Sequence, residues 1–159
     1  MVMKLLGIEL IDVEKANKYV EIKRRIDSIQ DDFTDEEVEE NNSYITFEES
    51  WCEQIYLITL KNNDGYRNII CYRDKDDGYR SYAGKYELNI NEALCENLKP
   101  YDLNVTVKEN FNEVEGIAYK LLIKYKTQKI FKCFTDRSFD EYYPVGIVDY
   151  DITGLNQEI

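Results

Sequence analysis

The run Ile55-Tyr56-Leu57-Ile58-Thr59-Leu60, the turn Lys61-Asn62-Asn63-Asp64-Gly65 and the run Tyr66-Arg67-Asn68-Ile69-Ile70-Cys71-Tyr72-Arg73 decide the predicted fold class. Both runs are rich in β-branched and aromatic residues, which suit a pleated, half-buried surface, and Asp64-Gly65 supplies residues that tolerate a tight turn. They predict an antiparallel hairpin. Downstream, Asp74-Lys75-Asp76-Asp77-Gly78 is a second turn signal that leads into a strand over Tyr79 to Leu88. Upstream, Tyr44, Thr46 and Glu48 alternate with Ile45, Phe47 and Glu49, the period of two expected of another strand. The simplest product is an antiparallel meander.

Helical signals flank these strands. Lys4 to Ile11 reads as a short first strand, after which Asp12 is placed to cap a helix running to about Ile29, with Val13, Ala16, Val20, Ile26 and Ile29 near the helical period. Thr34 and Glu37 have the spacing of a capping box, which predicts a short acidic helix over Asp35 to Glu40. Asn91 caps another helix through Leu98, and Pro100 prevents it from continuing far. Further strands are predicted at Leu103 to Lys108, Ile117 to Tyr125, Lys129 to Thr135 and Val145 to Asp151. The expectation is an α+β fold: one domain spanning 1–159, its meander-like sheet packed with a long N-terminal helix and one or two short helices. Cys71-Tyr72-Arg73-Asp74 and Cys133-Phe134-Thr135-Asp136 each end a predicted strand, a short internal echo.

Several chemistries are excluded early. The chain has no histidine, which removes histidine-based proteases and nucleases and most zinc enzymes. It has no GxGxxG or GxxxxGK[ST] loop, and Gly65, Gly78 and Gly84 are explained by turns. Asp74, Asp76, Asp77 and Gly78 resemble a calcium loop only superficially, because Lys85 stands where a bidentate glutamate is required. Cys52, Cys71, Cys95 and Cys133 lie far apart with no CxxC pair, so buried thiols in a reducing compartment are expected. No export signal or run of apolar residues long enough to span a membrane is present, and a cytoplasmic location in a bacterial host is expected. No cofactor or metal is expected. Abundant Lys, Asn, Ile and Tyr suggest AT-rich coding, as in low-GC bacteria and their phages.

The net charge of −12 is concentrated. Residues 1–30 carry six basic and five acidic groups, residues 31–53 carry ten acidic and no basic groups, and residues 54–159 carry 14 basic and 17 acidic groups. The acidic window holds Asp31, Asp32, Asp35, Glu36, Glu37, Glu39, Glu40, Glu48 and Glu49, interleaved with Phe33, Val38, Tyr44 and Trp51. Such a field speeds encounter with basic partners and repels phosphates, so this face is expected to bind protein and make no direct contact with nucleic acid. Fourteen tyrosines add rigid, amphipathic contact area, with pairs at Tyr79/Tyr82 and Tyr142/Tyr143 near predicted loops. The opposite pole runs through Lys120, Lys124, Lys126, Lys129, Lys132 and Arg137 and includes Tyr125, Phe131 and Phe134; a basic sheet with stacking aromatics is the alternative it offers.

With its length, single expected domain and the run from Asp31 to Glu40, the chain resembles, as a class, the small acidic anti-CRISPR and anti-restriction proteins of phages and mobile elements. The resemblance is compositional. It implies a non-enzymatic inhibitor that occupies a basic surface of a Cas nuclease. The charge window itself, with its interleaved aromatics, points to Asp31, Asp32, Asp35, Glu36, Glu37, Glu39, Glu40, Tyr44, Glu48, Glu49 and Trp51 as the partner-binding residues. An immunity protein that plugs a cognate bacterial toxin shares the same physics. A carboxylate-based enzyme, using pairs such as Asp140/Glu141 or Glu48/Glu49, is the third class.

Overall fold

The chain adopts eight strands and two helices among the residues described in the computed structural model, which are 2–30, 45–63, 65–75, 86–112, 118–136 and 145–153, with backbone only for 26–30, 111–112, 118–119, 135–136 and 145–153. In chain order these are β1 (Val2–Leu10), α1 (Val13–Gln30), β2 (Cys52–Asn62), β3 (Gly65–Asp74), β4 (Tyr86–Ile90), α2 (Glu92–Asn97), β5 (Leu103–Asn112), β6 (Ala118–Tyr125), β7 (Gln128–Asp136) and β8 (Val145–Thr153). The predicted acidic helix at Asp35 to Glu40 and the turn at Asp76 to Gly78 lie outside the described residues.

All eight strands form one antiparallel sheet in the order β4-β7-β6-β5-β1-β2-β3-β8. Two three-stranded meanders, β1-β2-β3 and β5-β6-β7, meet where Val2–Leu5 of β1 pairs with Leu103–Thr106 of β5. Each meander is then extended by the strand that follows the other one in sequence. β4, which follows β3, adds to β7, and β8, which follows β7, adds to β3. Cys71 and Cys133, the two ends of the sequence echo, fall on the third strand of each meander and are both buried, opposite Tyr56 and Leu121 respectively.

The sheet curls. Arg73 on β3 donates from Nη2 to the carbonyl of Leu88 on β4 at 3.0 Å and lies over the Tyr86 ring at 5.7 Å, while β7 and β8 also approach each other. The inner surface encloses the larger core, built from Leu5, Ile58, Leu60, Ile69, Leu121, Ile123 and Phe131, with Tyr56 edge-on to Phe131 at 5.8 Å. Two irregularities allow the inner face to stay apolar. Leu6 is an extra residue in β1, so Met3 and Leu5 before it and Ile8 after it all point inward. Ile130 is likewise extra in β7, and its carbonyl accepts the Asn91 N–H at 2.8 Å, which fixes the start of α2; the Asn91 side chain then caps Leu94 N–H at 3.0 Å. Arg67 on β3 and Glu109 on β5 form an ion pair across the interior, with side chains only 11% and 18% exposed.

On the outside, β2 and β3 are covered by α1. The Asp12 carboxylate caps it by accepting the Lys15 N–H at 2.8 Å, and Ala16, Tyr19 and Val20 pack with Ile55, Leu57 and Ile70. β2 therefore buries both faces, from Ile55 through Ile58.

Three expectations are corrected. About 60% of the structure is strand and 20% helix, so the fold is a curled, mostly β architecture and not α+β. Helices supply no full layer of the main core, which the strands enclose with Cys95, Leu94 and Leu98 of α2 and its end added. The expected meander also stops at β3, because β4 leaves β3 for the far edge of the sheet. The strand expected at Tyr44 to Glu49 is absent over the described residues 45–49. The Asn17 amide replaces a strand partner there: it donates to the Phe47 carbonyl at 3.0 Å and accepts the Phe47 N–H at 2.8 Å.

Two stability changes follow from these contacts. Asn17→Ala removes both hydrogen bonds and should cost about 2–3 kcal/mol in urea unfolding, whereas Asn104→Ala on the surface should stay within about 0.5 kcal/mol. Arg67→Met leaves the Glu109 carboxylate buried without its cation and should cost about 3 kcal/mol or more; the double change Arg67→Met/Glu109→Leu should recover most of that loss in the same assay.

Candidate protein-binding site

The part of the acidic window that the structure describes is a turn built on aromatic rings. Phe47 is buried, Trp51 stacks on it at 5.8 Å, and Tyr72 of β3 meets the two rings edge-on at 5.2 and 5.7 Å. The backbone closes around them: Trp51 N–H and Cys52 N–H both donate to the Glu48 carbonyl at 3.2 and 3.0 Å, and Lys75 N–H donates to the Trp51 carbonyl at 2.9 Å. Trp51 is half-buried, while Glu48, Glu49 and Glu53 are exposed around it. The turn thus holds an aromatic ring in a fixed orientation among carboxylates, so little side-chain entropy is lost if a partner covers it. Burial raises the Tyr72 hydroxyl well above its ordinary range and, with Asp74 beside it, raises the Cys52 thiol to about 11.

Of the expected partner-binding residues, the structure brings Glu48, Glu49 and Trp51 together on this turn. Asp31, Asp32, Asp35, Glu36, Glu37, Glu39, Glu40 and Tyr44 lie outside the described residues. Asn17, which anchors the turn from α1, was not legible in the sequence, because a polar residue on a helix gives no sign of the distant backbone it holds.

The basic stretch resolves into a face. On the outer side of β5, β6, β7 and β4, Lys124 stands opposite Lys129, Leu122 lies between Lys108 and Lys132, and Phe134 lies between Lys120 and Glu87. Phe131, by contrast, is fully buried inside, Tyr125 packs partly against the inner core with Lys126 over its ring at 5.3 Å, and Arg137 lies outside the described residues. Lys108 joins the face from a strand that the linear charge run does not include. Glu87 accepts from Lys132 at 3.0 Å, Asn89 at 2.8 Å and Lys129 at 3.3 Å, and these bonds hold its carboxyl down at about 2.

Two further concavities among the described residues are shallow. A groove of about 700 Å³ runs along Gly7 and Ile8 of β1 beside Pro100 and Tyr101, and a neighbouring one of about 340 Å³ adds Glu92, Cys95 and Glu96. Burial raises both Tyr56 and Tyr101, which moves these hydroxyls away from acid–base work near neutrality. Among the described residues, no three His, Cys, Asp or Glu side chains are grouped to hold a metal ion, and no helix is long and apolar enough to cross a membrane. All four cysteines are buried and none is in a disulfide. Compared with protein-family models, curated proteins and solved structures, the chain matches none.

Glu87 generates a pH signature. Its folded value of about 2 lies below the ordinary 4.5, so its contribution to stability is complete above about pH 4.5 and is lost as the pH falls toward 2. Glu87→Gln should be less stable than the wild type at pH 7, and the two should converge across that window in acid unfolding followed by circular dichroism.

Proposed function

We propose that this protein is a non-catalytic inhibitor that binds a nucleic-acid-processing nuclease, of the anti-CRISPR or anti-restriction kind, and acts in a bacterial cytoplasm by occupying a basic surface of a Cas nuclease. The observation that carries the reading is the window 31–53, with ten acidic and no basic residues, which ends in a rigid turn presenting Trp51 among Glu48, Glu49 and Glu53. Carboxylates there stand in for the phosphates of the nuclease's substrate. Long-range attraction speeds encounter, and the held aromatic ring slows release. A plug of this kind needs no catalytic group, which fits a chain without histidine.

The test is capture of partners by tagged protein from a nuclease-treated lysate of a low-GC bacterium carrying CRISPR systems, followed by a cleavage assay. A Cas or restriction nuclease should be captured and inhibited, with binding that weakens as salt rises. Glu36→Lys, Glu37→Lys, Glu39→Lys and Glu40→Lys combined should weaken binding at least tenfold, chiefly through slower association. Binding and salt dependence unchanged by this reversal would remove the acidic interface, and capture of a secreted toxin would replace the nuclease with an immunity partner.

A further inference from the structure

The two meanders differ on their outer sides. α1 covers the apolar outer face of β2 and β3, whereas among the described residues no element packs on the outer face of β5, β6 and β7. That open face carries Lys108, Lys120, Lys124, Lys129 and Lys132 and, among the side chains described, one carboxylate, Glu87, in a chain whose acidic residues outnumber basic ones 32 to 20. A face selected only for solubility would alternate its charges. Instead, Lys124 and Lys129 stand directly opposite each other, a cross-strand pairing of like charges that disfavours folding. Half-exposed Phe134 lies beside Lys120 on this same surface.

The geometry points to a second binding surface: the outer face of β5, β6 and β7 binds single-stranded nucleic acid, with Lys108, Lys120, Lys124, Lys129 and Lys132 contacting phosphates and Phe134 stacking on a base. One feature favours a nucleic-acid strand over an acidic peptide: every base has a π-face to stack on Phe134, and a chain of carboxylates has none. The inference goes beyond the inhibitor reading and confines the expected lack of nucleic-acid contact to the acidic pole; neither depends on the other.

The test uses the full chain and a fluorescein-labelled 20-nucleotide oligo(dT), read by fluorescence anisotropy at graded salt. Binding should weaken with salt, with a log–log slope of about −3 to −4. Lys108→Glu/Lys120→Glu/Lys124→Glu should weaken it at least tenfold, while Lys4→Glu/Lys18→Glu/Lys61→Glu, with the same change in net charge placed elsewhere, should weaken it less than threefold. Phe134→Ala should weaken it about tenfold. If the charge-reversed face fails to fold by circular dichroism, Lys108→Gln/Lys120→Gln/Lys124→Gln serves the same comparison. No binding at low salt, equal losses from the two triple variants, or poly-L-glutamate that binds as tightly as oligo(dT) and is indifferent to Phe134→Ala would overturn the proposal.

Discussion

The seam between β1 and β5 is the constraint on which the rest of this structure depends. Only four residues on each side, Val2–Leu5 and Leu103–Thr106, pair directly, yet they hold the two meanders in one continuous sheet. Because the seam is central, the sheet has its two free edges at β4 and β8, and its curl brings them toward each other. The closure is made by side chains: Arg73 reaches the Leu88 carbonyl across the gap, and the Arg67–Glu109 ion pair spans the interior at the seam side. An enclosed apolar core then forms mostly from strands, with Cys95 of α2 added, and α1 is left to cover one outer patch.

That division of labour separates the surfaces. α1 and the turn at Glu48 to Trp51 belong to the first meander, and the lysine face belongs to the second. Opposite charges are thereby built on different structural units, each with a rigid backbone beneath it. The aromatic residues follow the same logic. Trp51, Phe47 and Tyr72 brace one another under the acidic turn, while Phe134 lies between Lys120 and Glu87 on the other surface.

Much of the local structure is legible in the sequence. The hairpin across Asn62 to Gly65, the Asp12 and Asn91 caps and the later strands all appear where turn chemistry and periodicity place them. The architecture does not follow from these, for identifiable reasons. Periodicity cannot report that Ile55 to Ile58 is buried on both faces, which makes the sheet an enclosing wall and not one layer under a helix. The extra residues Leu6 and Ile130 leave no sequence signature, although each switches which side chains face inward. Nor does any local signal show that β4 travels to β7. At the binding turn, the run from Ile45 to Glu49 alternates like a strand, but the Asn17 amide already satisfies the backbone of Phe47. The charge window was plain from composition; that Lys108 joins the opposite pole required the β5–β6 register.

The exchange of fourth strands has a consequence for how the chain reaches its native state. β3 cannot acquire its outer neighbour until β8 is available, and β4 must wait for β7, so neither meander completes itself from local sequence. During synthesis the first half leaves the ribosome with an unfilled edge on β3 and an unplaced β4. Loop-closure entropy for these distant pairings must be met before they give any return, which makes folding slow for a domain of this size and concentrates it into one late, cooperative event. Until then the exposed edge of β3, with Ile69-Ile70-Cys71-Tyr72 along it, is the segment most prone to pair with another nascent chain.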